Sequence, residues 1–333
     1  MLPWRGEEHR DGREPDRHQD RHHGEELGDR PHRVPGLTPA PMALPESFGP
    51  SLQSIRNVEV SSASPAPAVP LNVVVCLKQI PNPDLQFQVG PDGRDIKRDA
   101  LTYKTNGSDE YALEEAVRLK ERHGGRVVAL TAGPKRAEQM LREALAKGAD
   151  EAVRVAYDDP AAYDAMKVAR ILAAAIKSIP HDLVLTGVQS DDHINSLTGG
   201  LLAGVLGHPH ASVVTKVEVA PPAVTAHREL EGGDVQVVQL ALPAVLTVQF
   251  GINTPRYAPL PAIMKAARQP IKELTPAALG AAAWDDFAAG YAFRVRRLSP
   301  PEAKGRAQMF TGPVPEQAKK LAALLREKGF YRG

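Results

Sequence analysis

Cysteine is nearly absent from this sequence, since Cys76 is the only one among 333 residues. A single thiol forms neither an intramolecular disulfide nor a thiolate cage for a metal ion, which excludes a disulfide-stapled fold. No run of about eighteen apolar residues occurs, so no membrane span is predicted. The formal net charge is only +1, without the basic excess of a bare nucleic-acid-binding surface. These absences predict a cytoplasmic protein that binds no nucleic acid.

Motifs of catalysis and ATP cleavage are missing as well. The sequence has no G-x-x-x-x-G-K-[ST] loop, no G-x-G-x-x-G loop and no nucleophile elbow with a Ser/His/Asp set. His193, His208 and His210 lie close together, but two of them flank Pro209 in a predicted turn, where surface or packing roles are common. We therefore predict a protein that binds its ligand without an acid or base of its own.

The first 70 residues differ in composition from the rest. Residues up to about Arg33 are mostly charged or histidine, and Val34 to Pro70 are rich in Pro, Ser and Ala. Neither part has helical or strand periodicity, and neither holds enough apolar residues to offset the entropy lost on ordering. We predict that residues 1–70 are disordered, either as a true extension or because translation starts later, with Met42 as a candidate. Histidines in such a tail have no fixed backbone to orient them as metal ligands.

From Leu71 onward, short apolar runs alternate with helical stripes. Such an alternation predicts an α/β fold with a doubly wound parallel sheet of the Rossmann-like, adenine-nucleotide-binding type. The predicted strands are 71–77, 126–131, 151–155 and 182–186, and the predicted helices are 109–122, 134–147, 161–178 and one that ends near Leu206.

The pattern changes after Ala211. Segments 213–219, 224–230 and 235–240 are rich in β-formers, and the turn at Glu231–Gly233 makes the last two an added antiparallel hairpin. One more buried strand is predicted at 244–249, and a smaller hairpin at 85–89 and 95–97. These elements complete a domain predicted to span residues 71–273. Residues 274–333 form a predicted C-terminal arm that ends in an amphipathic helix at 315–328, which either docks on the sheet or binds a partner.

Three loops of small and polar residues follow predicted parallel strands, at 76–79, 131–134 and 187–192. In an open parallel sheet, ligands bind outside the carboxyl ends of the strands. The third loop leads through Ser196, Thr198 and Gly199 into a helix start, where backbone N–H groups make a seat for phosphate. Asp191 and Asp192 are suited to accept from ribose hydroxyls. The alternative is that these residues only cap a helix and shape turns.

A stiff loop follows the last buried strand. Three prolines occur within seven residues, from Pro255 to Pro261, and proline fixes the backbone φ. Pro261 is suited to the first turn of a short helix that carries Ile263 and Met264. Leu260 then lies just before the helix, near Lys265, Arg268 and Lys272. Two readings stay open: Leu260 packs in the core, or it is presented as an apolar anchor with a basic collar, for docking on acidic partners.

Several segments resemble the beta subunits of electron transfer flavoproteins. They are Asn106–Glu121, Leu130–Pro134, Ala144–Asp150, Asp182–Gln189 and Leu242–Val245. The most specific is Asn253–Ala266. The resemblance runs in order through residues 71–273, and Arg296–Gly329 is more weakly similar to the tail with which the family's beta subunit wraps its partner.

The resemblance implies an electron carrier that works with a larger alpha subunit holding the redox-active FAD. It implies a second nucleotide in the beta subunit, either AMP or, in the electron-bifurcating branch, a second FAD. The nucleotide residues implied by position are Leu77, Asn106, Ala132, Gly133, Gln189, Asp192, Ser196, Thr198 and Gly199. The implied docking residues for acyl-CoA and other dehydrogenases are Leu260, Pro261, Ile263, Met264 and Lys265. A membrane quinone oxidoreductase is the implied acceptor.

The loop after Asp191 departs from both branches of the family. Asp192 is followed by His193 and Ile194, where the AMP branch continues with acidic residues, and the Asp-Gly-Asp pattern of the bifurcating branch is also missing. Pro83 replaces the tyrosine that the common branch directs at the flavin. The identity of the nucleotide therefore stays open. Two alternative functions also stay open: an electron-bifurcating subunit with its own FAD, and a stand-alone ATP-binding sensor of the stress-protein type.

Overall fold

The computed structural model describes residues 70–98, 101–157, 164–275, 277–280, 295–300 and 307–330. The predicted disorder of residues 1–70 concerns residues outside these ranges, apart from Pro70. The first three residues of the helix predicted at 161–178 also lie outside them.

A nine-stranded sheet forms the centre of the protein. Its strands are β1 (Leu71–Cys76), β4 (Gly125–Gly133), β5 (Glu151–Ala156), β6 (Leu183–Gly187), β7 (His210–Ala220), β8 (Ala223–Glu229), β9 (Val235–Ala241), β10 (Ala244–Val248) and β11 (Lys272–Leu274). They lie in the order β11-β5-β4-β1-β6-β10-β7-β8-β9. The seven strands from β11 to β7 run parallel, and β7, β8 and β9 pair antiparallel. The parallel sheet with an added antiparallel hairpin confirms the predicted fold class.

The chain reverses its direction of travel across the sheet at β1. It first passes outward through β4 and β5, then returns to the other side of β1 to form β6. Two parallel strands whose connections leave in opposite directions separate at their carboxyl ends and leave a crevice there. The fold therefore places its natural ligand site between the ends of β1 and β6.

Four helices cover the two faces of the sheet, and two more follow the sheet's last long strand. They are α1 (Gly107–His123), α2 (Glu138–Lys147), α3 (Ala165–Ile176), α4 (Thr198–Leu206), α5 (Leu260–Ala266) and α6 (Val314–Glu327). Val73 and Val75 of β1 pack with α1 and α2, whereas Val74 and Cys76 pack with α3 and α4. This alternation explains why β1 is apolar at nearly every position, as expected for a strand buried on both faces.

Three local features differ from the sequence-based expectation. The hairpin predicted at 85–89 and 95–97 is reduced to one antiparallel bridge between Val89 and Ile96. A short antiparallel ribbon of β2 (Gln79–Pro81) and β3 (Tyr103–Thr105) was not predicted, and neither was the edge strand β11. The unpredicted strands β2, β3 and β11 have three residues each, too few to show a periodic pattern.

The C-terminal helix α6 carries an apolar stripe that the described part of the chain leaves uncovered. None of its residues is buried, and Leu321 and Leu325 are exposed. Among the residues that the structure describes, no helix combines the length and the apolar character needed to cross a membrane.

Removing a core side chain from β6 tests the importance of the two-sided core. Leu185 is fully buried, so Leu185→Ala is expected to lower the free energy of unfolding by about 3 kcal/mol, through lost burial and the cavity left behind. Chemical denaturation measures the change. The matched control is Val237→Ala on exposed β9, for which a loss of no more than about 0.5 kcal/mol is expected. Equal losses would contradict this account.

Candidate functional site

A cavity of about 500 Å³ opens at the carboxyl ends of β1, β4 and β6. It occupies the crevice that the strand order creates. All nine sequence-predicted nucleotide residues line this one cavity: Leu77, Asn106, Ala132, Gly133, Gln189, Asp192, Ser196, Thr198 and Gly199. The structure thus brings together residues that lie up to 122 positions apart in the chain. Their contact with a nucleotide stays a prediction.

The buried carboxylate of Asp109 joins the ends of the two strands that border the crevice. It accepts hydrogen bonds from the backbone N–H groups of Lys78, at 2.7 Å, and of Gly187, at 3.0 Å. Asp109 is only 5% exposed. Burial raises the pKa of this carboxyl to about 7, although the hydrogen bonds from Lys78, Asn106 and Gly187 oppose the rise. The neighbouring thiol of Cys76 is also buried, and burial raises its pKa.

Asn106 and Ser108 fix the loop that leaves β6. The Asn106 amide donates to the carbonyl oxygen of Gln189 at 2.8 Å, and the Ser108 hydroxyl donates to the same oxygen at 2.5 Å. The side-chain oxygen of Asn106 accepts from the backbone N–H of Asp191 at 2.9 Å. The residues at the start of α1 therefore hold the ends of β1 and β6 in position, together with the loop that follows β6.

Gly187 is required by this close approach. A Cβ atom at position 187 would collide with the side chains of Ser108 and Asp109 and with the backbone nitrogen of Asp109. Any larger residue would push the first turn of α1 away from the end of β6.

An ion pair crosses the mouth of the cavity. The Lys78 ammonium lies 2.6 Å from Asp192, 3.2 Å from the Ser190 hydroxyl and 3.3 Å from Nδ1 of His193. Burial works toward a higher pKa for Asp192, but the Lys78 ammonium outweighs it and holds the pKa below its usual value. Burial and the same ammonium lower the pKa of His193. Lys78 thus neutralises the acidic loop from the opposite side of the crevice.

The loop between this ion pair and α4 has an unusual backbone. Ile194 and Ser196 have φ values of 53° and 52°, in the left-handed region that costs side-chain-bearing residues free energy. Ser196 donates to the side-chain oxygen of Gln189 at 3.3 Å. The loop then enters α4 at Thr198 and Gly199, where backbone N–H groups lack helical partners and favour an anion.

The opposite wall combines aromatic and cationic groups. The Arg136 guanidinium lies 4.3 Å from the ring centroid of Tyr103, a cation–π contact. Gln79 donates to the carbonyl oxygen of Arg136 at 3.2 Å, which ties the β2–β3 ribbon to the turn after β4. Arg98, also in the wall, makes a two-bond contact with Asp95. Pro83 lines the cavity on this side.

A second candidate surface lies on α5. Leu260 is 69% exposed, Met264 60% and Ile263 48%, and Pro261 and Lys265 are exposed beside them. Exposure of Leu260 excludes the reading that places it in the core. Leu260 is the first residue of the helix rather than the residue before it, and Pro261 follows within the first turn. The exposed apolar side chains of Leu260, Ile263 and Met264 form one outward-facing surface, a candidate docking surface.

A parallel, doubly wound sheet with a crevice at its switch point defines an α/β protein of the Rossmann-like class, in which that crevice is the usual place for a ligand. Comparison with known proteins identifies the family. Residues 95–279 match the family model described as the electron transfer flavoprotein domain. The chain therefore belongs to the electron transfer flavoprotein family, as a beta subunit.

Individual relatives agree with this assignment. The chain is 43% identical over 261 residues to electron transfer flavoprotein subunit beta of Methylophilus methylotrophus, covering 77% of this chain and 98% of the relative. It is 37% identical over 234 residues to the Bacillus subtilis subunit, covering 70% and 90%. It is 36% identical over 213 residues to the human subunit, covering 63% and 83%. The resemblance drawn from the sequence is confirmed, and nothing favours the bifurcating or stress-sensor alternatives.

Sequence reasoning missed Ser108 and Asp109 as parts of the site, and it placed Lys78 in a site loop at 76–79 without giving it a role. Ser108 and Asp109 follow Asn106 directly, so their place at a helix start beside a predicted site residue was a usable signal. The bridge made by Lys78 had no such signal, because its partners lie more than 110 positions away.

The raised pKa of Asp109 predicts a pH-dependent stability. Because the folded state keeps this proton up to about pH 7 while the unfolded chain releases it near pH 4, the stability due to Asp109 falls as pH rises through that window. Asp109→Asn replaces the titrating carboxyl with an amide, so this pH dependence is lost in the variant. The unfolding free energy of the variant minus that of the wild type should therefore rise with pH, by up to about 1.4 kcal/mol per pH unit below pH 7, and level off above pH 7.

Denaturation at pH 5, 6, 7 and 8.5 measures this difference. The test uses the slope of the difference against pH, so a lower overall stability of the variant does not affect it. Asp234→Asn, in an exposed turn, is the matched loss of one carboxylate. Parallel pH profiles for wild type and Asp109→Asn would show that Asp109 does not titrate in this range.

Proposed function

We propose that this chain pairs with an electron transfer flavoprotein alpha subunit, seats an adenine nucleotide in its cavity and presents Leu260 to electron-donating dehydrogenases, acyl-CoA dehydrogenases among them. Electrons then pass from the heterodimer to a downstream acceptor, with a membrane quinone oxidoreductase as the expected class. The cytoplasm is the expected location. The observation that carries the proposal is the exposure of Leu260, Ile263 and Met264 on a short helix that follows a proline-rich loop.

The docking surface has the composition of an interaction hot spot. A cluster of large apolar side chains on an exposed helix indicates a binding surface. Exposing these side chains to water costs free energy, which a partner that covers them removes. Lys265, Arg268 and Lys272 are exposed around the cluster. Positive charge at the rim favours encounter with an acidic partner surface, and apolar contact at the centre stabilises the complex. This combination suits a partner that must bind briefly and leave.

The cavity fits an adenine mononucleotide. The first turn of α4 is suited to seat one phosphate, and Asp191 lies at the cavity wall as an acceptor for ribose hydroxyls. Three cations line the described wall: Lys78 and Arg98 are paired with carboxylates, and Arg136, which contacts the Tyr103 ring, is left for one phosphate. These features favour AMP over a second FAD as the nucleotide held by this chain.

The contribution of this chain to electron transfer is positional. FAD, bound mainly by the alpha subunit, supplies the redox chemistry. Contacts from the start of α1 hold the loops around the cavity in place. Pro83 lines one wall of that cavity. The chain also fixes the docking helix on the body of the protein.

The bound nucleotides provide a direct test. The heterodimer, produced with its alpha subunit, should release one AMP and one FAD per pair when it is denatured, because the cavity suits a single-phosphate ligand. Chromatography with mass detection identifies and counts both. Two FAD molecules without AMP would contradict the proposed nucleotide and establish the bifurcating alternative.

Truncating the anchor tests docking. Leu260→Ala should lower kcat/KM for reduction of the heterodimer by a reduced acyl-CoA dehydrogenase about tenfold, because truncating an important interface side chain costs at least about 1.4 kcal/mol. Bound AMP and FAD should stay unchanged. Val235→Ala, on the exposed edge strand β9, is the matched apolar control and should leave the rate at the wild-type value. Wild-type kinetics for Leu260→Ala would rule out this role.

A further inference from the structure

Polar contacts as well as apolar packing fix the chain between β10 and α5 to α1; the rings of Phe250 and Tyr111 meet edge to face there. The Asn253 side chain donates to the carbonyl oxygen of Tyr111 at 3.0 Å and to the Glu115 carboxylate at 3.2 Å. Arg118 donates to the carbonyl oxygen of Thr254 at 3.3 Å. These contacts hold the start of the proline-rich segment against the middle of the helix.

Arg256 makes the most extensive of these contacts. Its guanidinium donates to Glu114 through Nε, at 2.8 Å, and through Nη2, at 3.2 Å. It also donates to Glu121 through Nη1, at 2.6 Å, and through Nη2, at 3.0 Å. The backbone N–H of Arg256 donates to Glu114 as well, at 3.1 Å. One residue therefore makes five hydrogen bonds to two carboxylates that lie two turns apart on α1.

The electrostatics of this cluster show that the clamp is well matched. Glu114 is 4% exposed, and burial works toward a higher pKa, but the Arg256 and Arg118 guanidinia outweigh it and hold the pKa of Glu114 below its usual value. The bond from Arg256 lowers the pKa of Glu121. Glu121 and Glu114 together raise the pKa of Arg256. A planar fork of five donors suits two carboxylates in a way that a lysine ammonium does not.

The docking helix has a second anchor at its other end. Arg142 of α2 donates to the carbonyl oxygens of Ala266, Ala267 and Gln269, where α5 ends. Pro259 and Pro261 restrict the backbone between Arg256 and this anchor, and Pro255 restricts it just before Arg256. Leu260 therefore lies on a short, stiff segment between two fixed points, although its own side chain contacts solvent.

We propose that Arg256 is a positioning residue for donor docking: by clamping the loop to Glu114 and Glu121 of α1, it sets the place and direction in which Leu260 meets a dehydrogenase. The inference rests on the proposed docking function of Leu260. Arg256 itself acts through the loop and does not serve as the cationic contact for the donor.

Two substitutions separate clamping from charge. Arg256→Gln removes the positive charge and the guanidinium hydrogen bonds, whereas Arg256→Lys keeps the charge and loses the planar, forked guanidinium. In the intact heterodimer, both variants should raise the apparent KM for the flavoprotein about three- to tenfold, with kcat retained, because a loosened loop must be ordered on binding. Arg126→Gln, which breaks a surface pair with Glu151, is the matched arginine control and should change neither parameter.

A double-mutant cycle tests whether Arg256 acts through Leu260. Once Leu260→Ala has removed the anchor, adding Arg256→Gln should have no further effect on KM. Full recovery of wild-type KM by Arg256→Lys, or additive effects in the double mutant, would overturn the proposal in favour of a direct charge contact. Glu121→Gln, at the more exposed carboxylate, is the gentler variant if Arg256→Gln folds poorly, and it should show the same KM effect in smaller measure.

Hydrogen exchange on the heterodimer without a donor gives a readout independent of docking. Backbone amides at 252–258 should exchange at least tenfold faster in both Arg256 variants than in wild type and Arg126→Gln. Unchanged exchange would overturn the clamp. If exchange rises while Leu260→Ala keeps wild-type kinetics, the clamp is real and the docking function proposed for Leu260 has failed.

Discussion

The carboxylate of Asp109 is the constraint on which the candidate site depends. It accepts backbone hydrogen bonds from Lys78 and Gly187, at the ends of two neighbouring parallel strands. Strand ends at a switch point diverge, so their backbone donors have no ladder partners there. One buried side chain satisfies both donors at once. The crevice keeps its shape because the same acceptor is shared across it, and the polar loops that line the cavity begin from these two fixed points.

Helix α1 connects this cavity with the docking surface. Its first turn carries Asn106, Ser108 and Asp109 at the cavity, and its later turns carry Glu114 and Glu121 at the loop. A helix is stiff over this length, so the two regions share one frame of reference. Glu114 and Glu115 of α1 are buried, although carboxylates are usually solvated, and both bond to residues of this loop or to neighbouring arginines.

The sequence was most informative where patterns are long or local. The buried strands, the amphipathic helices and the stiff loop follow from periodicity and proline, and the residues after each parallel strand converge because the topology requires it. The ribbon of β2 and β3 and the edge strand β11 were missed, since elements of three residues carry no period. The bridge from Lys78 to Asp192 and the clamp on Arg256 were missed because each joins residues more than 100 positions apart, and only the folded chain decides which charges meet.

The stiffness of the segment that carries Leu260 has a consequence for recognition. The segment adopts its conformation when the chain folds and is therefore preorganised for binding. Association then needs no slow rearrangement of a loop. Complex formation then depends on how often the two surfaces meet in a suitable orientation. If Leu260 docks donors as proposed, donors that differ elsewhere could share the subunit as long as each has a recess of matching shape, and exchange between donors would be limited by dissociation rather than by rearrangement.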